Sequence, residues 1–277
     1  MFDLKELLKE AKSSGIKPKK SLGQHFLIDP NYVEKILEAS QVSSEDTVLE
    51  VGAGLGSLTF PLSLRAKRVI AVEIDSRLCE FLKEKASNLP IEVIQGDILR
   101  VYLREFYQKY GPLKVLGNLP YNFSIPILFY LLSFWEVLKD LTLMFQKEVA
   151  ERIVSSPGGK AYGALSVTVR TLCEPKFLFK VPRGAFWPPP EVEGGVVFFQ
   201  LHKNPKGDIE SLRRFVTKIF SKRRKTILNA LVESGFGKRK KIEEMLLSMG
   251  IDPRRRPETL GVEEFLNLHK RLEEERC

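Results

Sequence analysis

The sequence predicts an α/β fold with a mostly parallel sheet, an antiparallel last strand and a small all-helical C-terminal domain. Three observations predict it. From Thr47 to Leu201, short apolar runs of strand length alternate with helical stretches, the pattern of βαβ units whose sheet is covered on both faces. The first of these strands runs straight into a glycine-rich turn, Gly52-Ala53-Gly54-Leu55-Gly56. Beyond His202 the alternation stops, and only amphipathic helical patterns follow.

The elements follow in order. Asp3 to Ser13 carries helical apolar spacing at Leu4, Leu7 and Leu8. Asp29-Pro30 is a helix start, because Asp can cap free N–H groups and Pro is tolerated at the first helical position; Val33, Ile36 and Leu37 form its apolar face. Strands are expected at Val48–Val51, Val69–Val72, Ile91–Ile94, Leu113–Leu116 and Leu141–Phe145. Helices are expected between them at Ser57–Leu64, Arg77–Ala86, Leu103–Tyr110 and Pro126–Phe134, then at Lys147–Val154 and Leu165–Leu172. Phe177–Val181 reads as a strand, Trp187-Pro188-Pro189-Pro190 breaks the chain, and Val196–Leu201 is the last strand, antiparallel at the sheet's end. Four helices follow at Leu212–Phe220, Thr226–Val232, Ile242–Met249 and Glu263–Leu272. A linker-like stretch at Lys203–Gly207 divides residues 1–202 from 203–277.

Composition narrows the function classes. Of 277 residues, 43% are hydrophobic and 29% charged, a globular balance that excludes a disordered or collagen-like chain. The most apolar run, Ile127 to Leu132, falls short of the roughly 18 residues a membrane span needs. The N-terminus opens with mixed charges and not with a secretory signal. A cytoplasmic location without a membrane partner is therefore expected. Cys79, Cys173 and Cys277 form no CxxC pair, and His25, His202 and His269 lack metal-ligand spacing, so no metal is expected.

The net charge is +9, but it is unevenly placed. Residues 202–277 hold 19 Lys/Arg against 12 Asp/Glu, a net of +7. Clusters such as Lys222-Arg223-Arg224-Lys225 favour a polyanion partner there, namely nucleic acid. A solvated helical face would carry the same charges.

Three features converge on a ligand pocket. The glycine turn departs from the GxGxxG dinucleotide spacing, since the third glycine comes one residue early; a structural tight turn accounts for it equally. Glu73 ends the second strand, where a carboxylate can accept from both hydroxyls of a ribose. Asp97 follows the third strand, where it can accept from a base amine. Helix capping explains each acid singly. A nucleoside lying across the carboxyl ends of the strands explains all three features together.

The fourth strand ends in Asn118-Leu119-Pro120-Tyr121. An exocyclic base amine attacks poorly while its lone pair is delocalised into the ring. The Asn118 amide oxygen and the Leu119 carbonyl can hold its two N–H groups and turn the lone pair toward an electrophile. Pro120 stiffens the turn and Tyr121 offers a stacking face. Phe186 or Trp187, in Phe186-Trp187-Pro188-Pro189-Pro190, would sandwich the base from the other side; an apolar lid is the plainer alternative. Ser21 to Leu27 would close the pocket from the N-terminal side, with His25 as a hydrogen-bonding or packing residue.

Together, Gly23-Gln24-His25-Phe26-Leu27, Glu50 to Gly56, Val72-Glu73-Ile74-Asp75, Gly96-Asp97, Gly117 to Asn122, Lys160-Ala161-Tyr162-Gly163 and Phe186 to Pro190 resemble the ribosomal RNA adenine dimethyltransferases. The narrower likeness is to their bacterial small-subunit branch, whose loss gives kasugamycin resistance. The likeness runs from about Lys19 to Arg256. It implies a Rossmann-like methyltransferase sheet, S-adenosylmethionine as methyl donor, and N6,N6-dimethylation of two adjacent adenines in the 3′-terminal hairpin loop of 16S rRNA during small-subunit biogenesis. By matching positions it implies donor contacts at His25, Leu27, Gly52, Gly54, Glu73, Asp97 and Asn118. Catalytic positions would be Asn118, Leu119, Pro120, Tyr121 and Phe186, with RNA docking at Lys222, Arg223, Arg224 and Lys225. His25 stands where some members have Asn, and Ala53 where many have Pro. Three rivals stay open: a large-subunit dimethylase, an RNA-binding assembly factor whose catalysis is secondary, and a nicotinamide dehydrogenase, which the glycine spacing disfavours.

Overall fold

A computed structural model describes residues 3–203 and 208–275. Residues 204–207 of the expected linker, and Cys277, lie outside the described residues. The chain forms two compact units, one of residues up to Ala150 plus Lys176–Leu201, the other of Glu151–Pro175 plus His202 onward. The second unit thus takes in Glu151–Pro175, a segment that the sequence expectation placed within residues 1–202. The reason is packing: Tyr162 and Val167 are fully buried with Leu212, Phe215 and Phe265 in one apolar cluster.

In the first unit α1 (Leu4–Ser13) precedes a two-residue strand β1 (Phe26–Leu27) and α2 (Pro30–Ser40). Asp29 caps α2 by accepting from the Asn31 N–H, with Pro30 at its first position. The βαβ series follows as β2 (Thr47–Val51), α3 (Thr59–Ser63), β3 (Arg68–Glu73), α4 (Ser76–Lys85), β4 (Ile91–Gln95), α5 (Leu103–Tyr110), β5 (Leu113–Asn118), α6 (Ser124–Leu132) and β6 (Leu138–Gln146). Along the chain come next α7 (Lys147–Val154) and α8 (Ala164–Leu172), which lie mostly in the second unit, then β7 (Cys173–Val181), β8 (Phe186–Trp187) and β9 (Gly194–Leu201). The helix expected from Ser57 starts only at Thr59, because the glycine turn continues through Gly56 at φ +86°.

The main sheet has the order β4-β3-β2-β5-β6-β9-β7. Strands β2 to β6 pair in parallel, and β9 pairs antiparallel with β6, from Asp140 opposite Gln200 to Gln146 opposite Gly194. The last strand is antiparallel as expected, but it lies one place in from the edge. The edge belongs to β7, whose Pro175 lacks an N–H and whose Glu174 and Lys176 face water, features that suit an edge strand. The central strands are buried on both faces: Val48, Leu49, Ile70, Val115, Leu116 and Leu141 are fully inaccessible.

The second unit adds α9 (Ile209–Phe220), α10 (Ile227–Glu233), α11 (Arg239–Ser248) and α12 (Val262–Glu274). Asp208 and Thr226 cap α9 and α10 through their side-chain oxygens. No helix among the described residues is long and apolar enough to cross a membrane.

Candidate active site

Strand order places the site. From β2 the chain winds outward through β3 to β4, then returns to β5 on the other side of β2. The crevice at the carboxyl ends of β2 and β5 is therefore a topological switch point, where open α/β sheets bind ligands. Gly117 lets the two strands meet: a Cβ there would lie 2.7 Å from the Val51 carbonyl oxygen. The strand ends wall a cavity of about 240 Å³.

The glycine turn faces the sheet with most of its donors already used. The Gly52 and Ala53 N–H groups donate to the Val72 carbonyl, at 2.9 and 3.4 Å. The Gly54 N–H donates to Glu73 Oε2 at 2.9 Å. Gly54 has φ +58°, and a Cβ on it would press 2.9 Å from the Phe26 ring. A turn that cradles phosphate needs free N–H groups aimed outward; these point inward, against the dinucleotide reading.

Glu73 is 5% exposed. Its second oxygen accepts from the Asp75 N–H at 2.9 Å. Burial pushes its carboxyl above the usual range, and the backbone donors oppose that shift. Each oxygen has a second lone pair, so two hydroxyls can still donate to the anchored carboxylate. Asp97 accepts from the Leu99 N–H through Oδ1, and its Oδ2 has no partner among the described residues. Capping thus occupies one oxygen of the group and leaves the other without a partner.

Glu50 is a cavity residue that the sequence reading passed over. It is 2% exposed, and its Oε2 has no hydrogen-bond partner among the described residues. Burial, followed by the nearby Glu73 charge, pushes its carboxyl up to about 8, although Thr59 opposes the shift. The signal was present as a lone acid inside the apolar run Val48-Leu49-Glu50-Val51. Glu50, Glu73 and Asp97 all line the cavity, and no Lys or Arg does among the described residues. Such a wall repels phosphates and suits a ligand that carries positive charge.

At the end of β5, the Asn118 Nδ2 donates to the His25 carbonyl at 2.8 Å. Leu119 is buried, and its N–H donates to the Met144 carbonyl at 3.3 Å. Pro120 accepts from the Phe123 N–H at 3.0 Å, closing a turn. The Tyr121 ring lies 5.9 Å from the His25 ring at 29°. Its hydroxyl is buried without a partner among the described residues, and burial pushes it up to about 12.

His25, Leu27, Gly52, Gly54, Glu73, Asp97, Asn118, Leu119, Pro120 and Tyr121 all line the one cavity. Phe186 does not. It is 2% exposed and pairs opposite Leu27 in the β1–β8 ladder, which turns it into the core. Trp187 packs against Phe26 and lies under the Lys12 ammonium at 4.7 Å. The exposed aromatic on the cavity wall is Phe123, 45% exposed; its place directly after the Asn118–Asn122 motif was the available signal.

The basic cluster belongs to the second unit. Lys222 and Lys225 both approach Glu233, at 3.9 and 3.5 Å. Arg223 lies 3.6 Å from Glu258 and donates to the Lys160 carbonyl at 2.7 Å. Arg224 is exposed and has no ion-pair partner among the described residues. No group of three potential metal-binding side chains occurs among the described residues.

Comparison with known proteins agrees with this geometry. The sequence model of the family described as ribosomal RNA adenine dimethylase matches residues 15–274. The chain is 43% identical over 274 residues to ribosomal RNA small subunit methyltransferase A of Moorella thermoacetica, covering 95% of each chain. It is 40% identical over 253 residues to the protein of that name in Clostridioides difficile, covering 89% of this chain and 88% of the other. Among solved structures, a dimethyladenosine transferase from Plasmodium falciparum superposes with a TM-score of 0.80 at 28% identity, over 90% of this chain and 98% of the other. The 23S rRNA methyltransferase ErmE superposes at 0.70 with 27% identity, over 90% and 99%. With a family match spanning nearly its whole length, on a sheet whose crevice gathers the residues its motifs singled out, the chain belongs to the ribosomal RNA adenine dimethylase family.

Proposed function

We propose that this enzyme dimethylates N6 of two adjacent adenines in the 3′-terminal hairpin loop of 16S rRNA, during small-subunit biogenesis in the cytoplasm. The family's methyl donor is S-adenosylmethionine, which supplies an electrophilic methyl group on a positively charged sulfur. The observation that carries the reading is the cavity wall: the acidic side chains Glu73 and Asp97, a Glu50 that keeps its proton, no Lys or Arg among the described residues, and Asn118 at its edge. That lining fits a cationic nucleoside. The small subunit is favoured because the curated relatives at 40–43% identity are named for it.

Each residue has a role in this reading. Glu73 holds the ribose hydroxyls, and Asp97 Oδ2 takes the donor's adenine amine. Gly52 and Gly54 let the donor lie against the backbone, while His25 and Leu27 close over it. Asn118 Oδ1 and the Leu119 carbonyl accept from the substrate amine and localise its lone pair. Pro120 keeps the two acceptors in register, and Tyr121 stacks on the base. No side chain need remove a proton beforehand, because the amine turns acidic once it bonds to carbon. Rate enhancement then comes from positioning and preorganised acceptors. For the second methylation only one N–H remains, so one acceptor must suffice. Lys222, Arg223, Arg224 and Lys225 dock RNA backbone, with Arg224 the most available.

Labelled methyl transfer to unmodified small and large subunits, followed by nucleoside analysis, tests the reading. It predicts N6,N6-dimethyladenosine in small-subunit RNA alone. Label confined to large-subunit RNA contradicts the substrate, and no label from either contradicts the activity.

A further inference from the structure

An amide is two-faced: one end donates and the other accepts. Asn118 helps catalysis only if Oδ1 meets the substrate amine. The His25 carbonyl can only accept, so the Asn118 Nδ2 must face it, at 2.8 Å. That leaves Oδ1 as the free end in the cavity. If the His25 carbonyl moved away, the amide could flip and present N–H groups to an amine that itself needs acceptors. The catalytic orientation of Asn118 thus depends on the backbone position of a residue 93 places earlier in the chain.

That backbone is pinned on three sides. Downstream, Phe26 and Leu27 pair with Trp187 and Phe186, and the Ile28 N–H donates to the Ala185 carbonyl at 2.8 Å. Laterally, His25 Nδ1 donates to the Pro188 carbonyl at 2.8 Å. Upstream, Gln24 spans two anchors: its Oε1 accepts from the Lys19 N–H at 2.8 Å, and its Nε2 donates to Asp75 Oδ2 at 3.2 Å. The Asp75 carboxylate is fully buried and also holds Arg77 at 2.6 Å and Lys19 at 3.3 Å. Arg77 in turn donates to the Lys17 carbonyl at 3.2 Å. The Asp75 N–H donates to Glu73, so one chain of bonds links the ribose-site acid to the amide at the reacting amine.

We propose that Gln24 and Asp75 are positioning residues for methyl transfer: they clamp residues 17–24 so that the His25 carbonyl fixes the Asn118 amide with Oδ1 toward the substrate. This rests on the role assigned to Asn118 above. Neither residue touches the reacting atoms. Their effect reaches the reaction only through Asn118, and that makes it separable from a structural role.

The test is a double-mutant cycle on the full chain, with single-turnover methyl transfer to small subunits at saturating donor and RNA. Gln24→Ala should lower the rate constant roughly 10- to 100-fold, the scale of a misplaced catalytic group. Donor affinity by calorimetry should fall by no more than about threefold, a loss confined to the His25 contact, because the Glu73 and Asp97 anchors are untouched. In an Asn118→Ala background the same substitution should cost less than about threefold, because the group it positions is gone. Asp75→Asn keeps an acceptor for Gln24 but loses the charge that holds Arg77 and Lys19; it should show a smaller fall with the same loss of effect beside Asn118→Ala. A normal rate for Gln24→Ala overturns the proposal, and so does an undiminished effect of both substitutions in the Asn118→Ala background. A normal rate for Asn118→Ala alone overturns the reading of Asn118 and the positioning role with it.

Discussion

Glu73, at a strand end of the first unit, is buried and held by short bonds to the backbone, whereas the cations of the second unit's basic cluster lie near water beside acids of their own. Glu73 is gripped by two N–H groups. Lys222 and Lys225 share Glu233 at 3.5 Å or more. A buried, hydrogen-bonded charge has one geometry, and removing its partner is costly. An exposed pair contributes about 0–1 kcal/mol and is screened by salt. On the proposed reading the cavity therefore acts through placement, residue by residue, and the basic face through summed charge, in which each residue counts a little.

Asn118→Ala should sharpen that contrast most. We expect turnover to fall on the order of 10²–10³-fold, as when one preorganised hydrogen-bonding group is lost, while RNA affinity holds. Substantial loss of RNA affinity would show that placement and docking are not separate. Glu73→Ala comes next. Its two charge-assisted bonds to the ribose should be worth about 2–4 kcal/mol of donor affinity, measured by calorimetry on a protein that remains folded. Unchanged affinity would remove Glu73 from the donor site.

Tyr121→Ala should cost about 1–3 kcal/mol in the transition state, the value of a stacked base. Tyr121→Phe should keep most activity, because the hydroxyl is buried without a partner among the described residues. Comparable loss in both variants would mean that the hydroxyl, not the ring face, matters.

Glu50 predicts a pH effect. In the folded chain its carboxyl is pushed up to about 8 by burial, against an ordinary value of 4.5. The folded state therefore holds a proton that the unfolded state releases, and stability falls as pH rises from 4.5 toward 8. Glu50→Gln keeps the shape without the charge. Without added donor, its melting temperature should exceed that of the parent by a few degrees, on the order of 2–4 °C per kcal/mol, at pH 8 and by little at pH 5. A difference independent of pH would contradict the assignment.

The smallest effects belong to single cations. Arg224→Ala should reduce the log–log salt slope of RNA binding by roughly 0.7–0.9, one phosphate contact. Lys222→Ala should do less, because Lys222 already faces Glu233. Equal changes would mean that intramolecular pairing does not limit docking.

Much of this was legible in the chain. Periodicity marks the parallel strands, and their carboxyl ends bring Glu73, Asp97 and Asn118 together as neighbours. What stayed hidden depends on long-range pairing. The β1–β8 ladder joins two residues to two others about 160 positions away, too short a pattern to read. It turns Phe186 into the core and places His25 over Asn118. The place of β9 inside β7 follows from Pro175 and its charged neighbours, a signal visible in the sequence. Glu50 was absorbed into an apolar run, because strand periodicity does not say which acid will lack a partner.

The division between placement and docking is tested most directly by one salt titration on two variants, Asn118→Ala and the charge reversal Arg223→Glu with Arg224→Glu. Binding to unmodified small subunits and methyl transfer at saturating RNA would be followed together. The prediction is a crossing: Asn118→Ala binds with the parent's salt slope but transfers slowly. The charge-reversed protein binds weakly with a flatter slope, yet keeps normal donor affinity and, once saturated, a near-normal rate. If the charge-reversed protein keeps both its affinity and its slope, those arginines only solvate a helical face. The RNA platform would then lie elsewhere, with Lys17, Lys19 and Lys20 the next cluster to reverse.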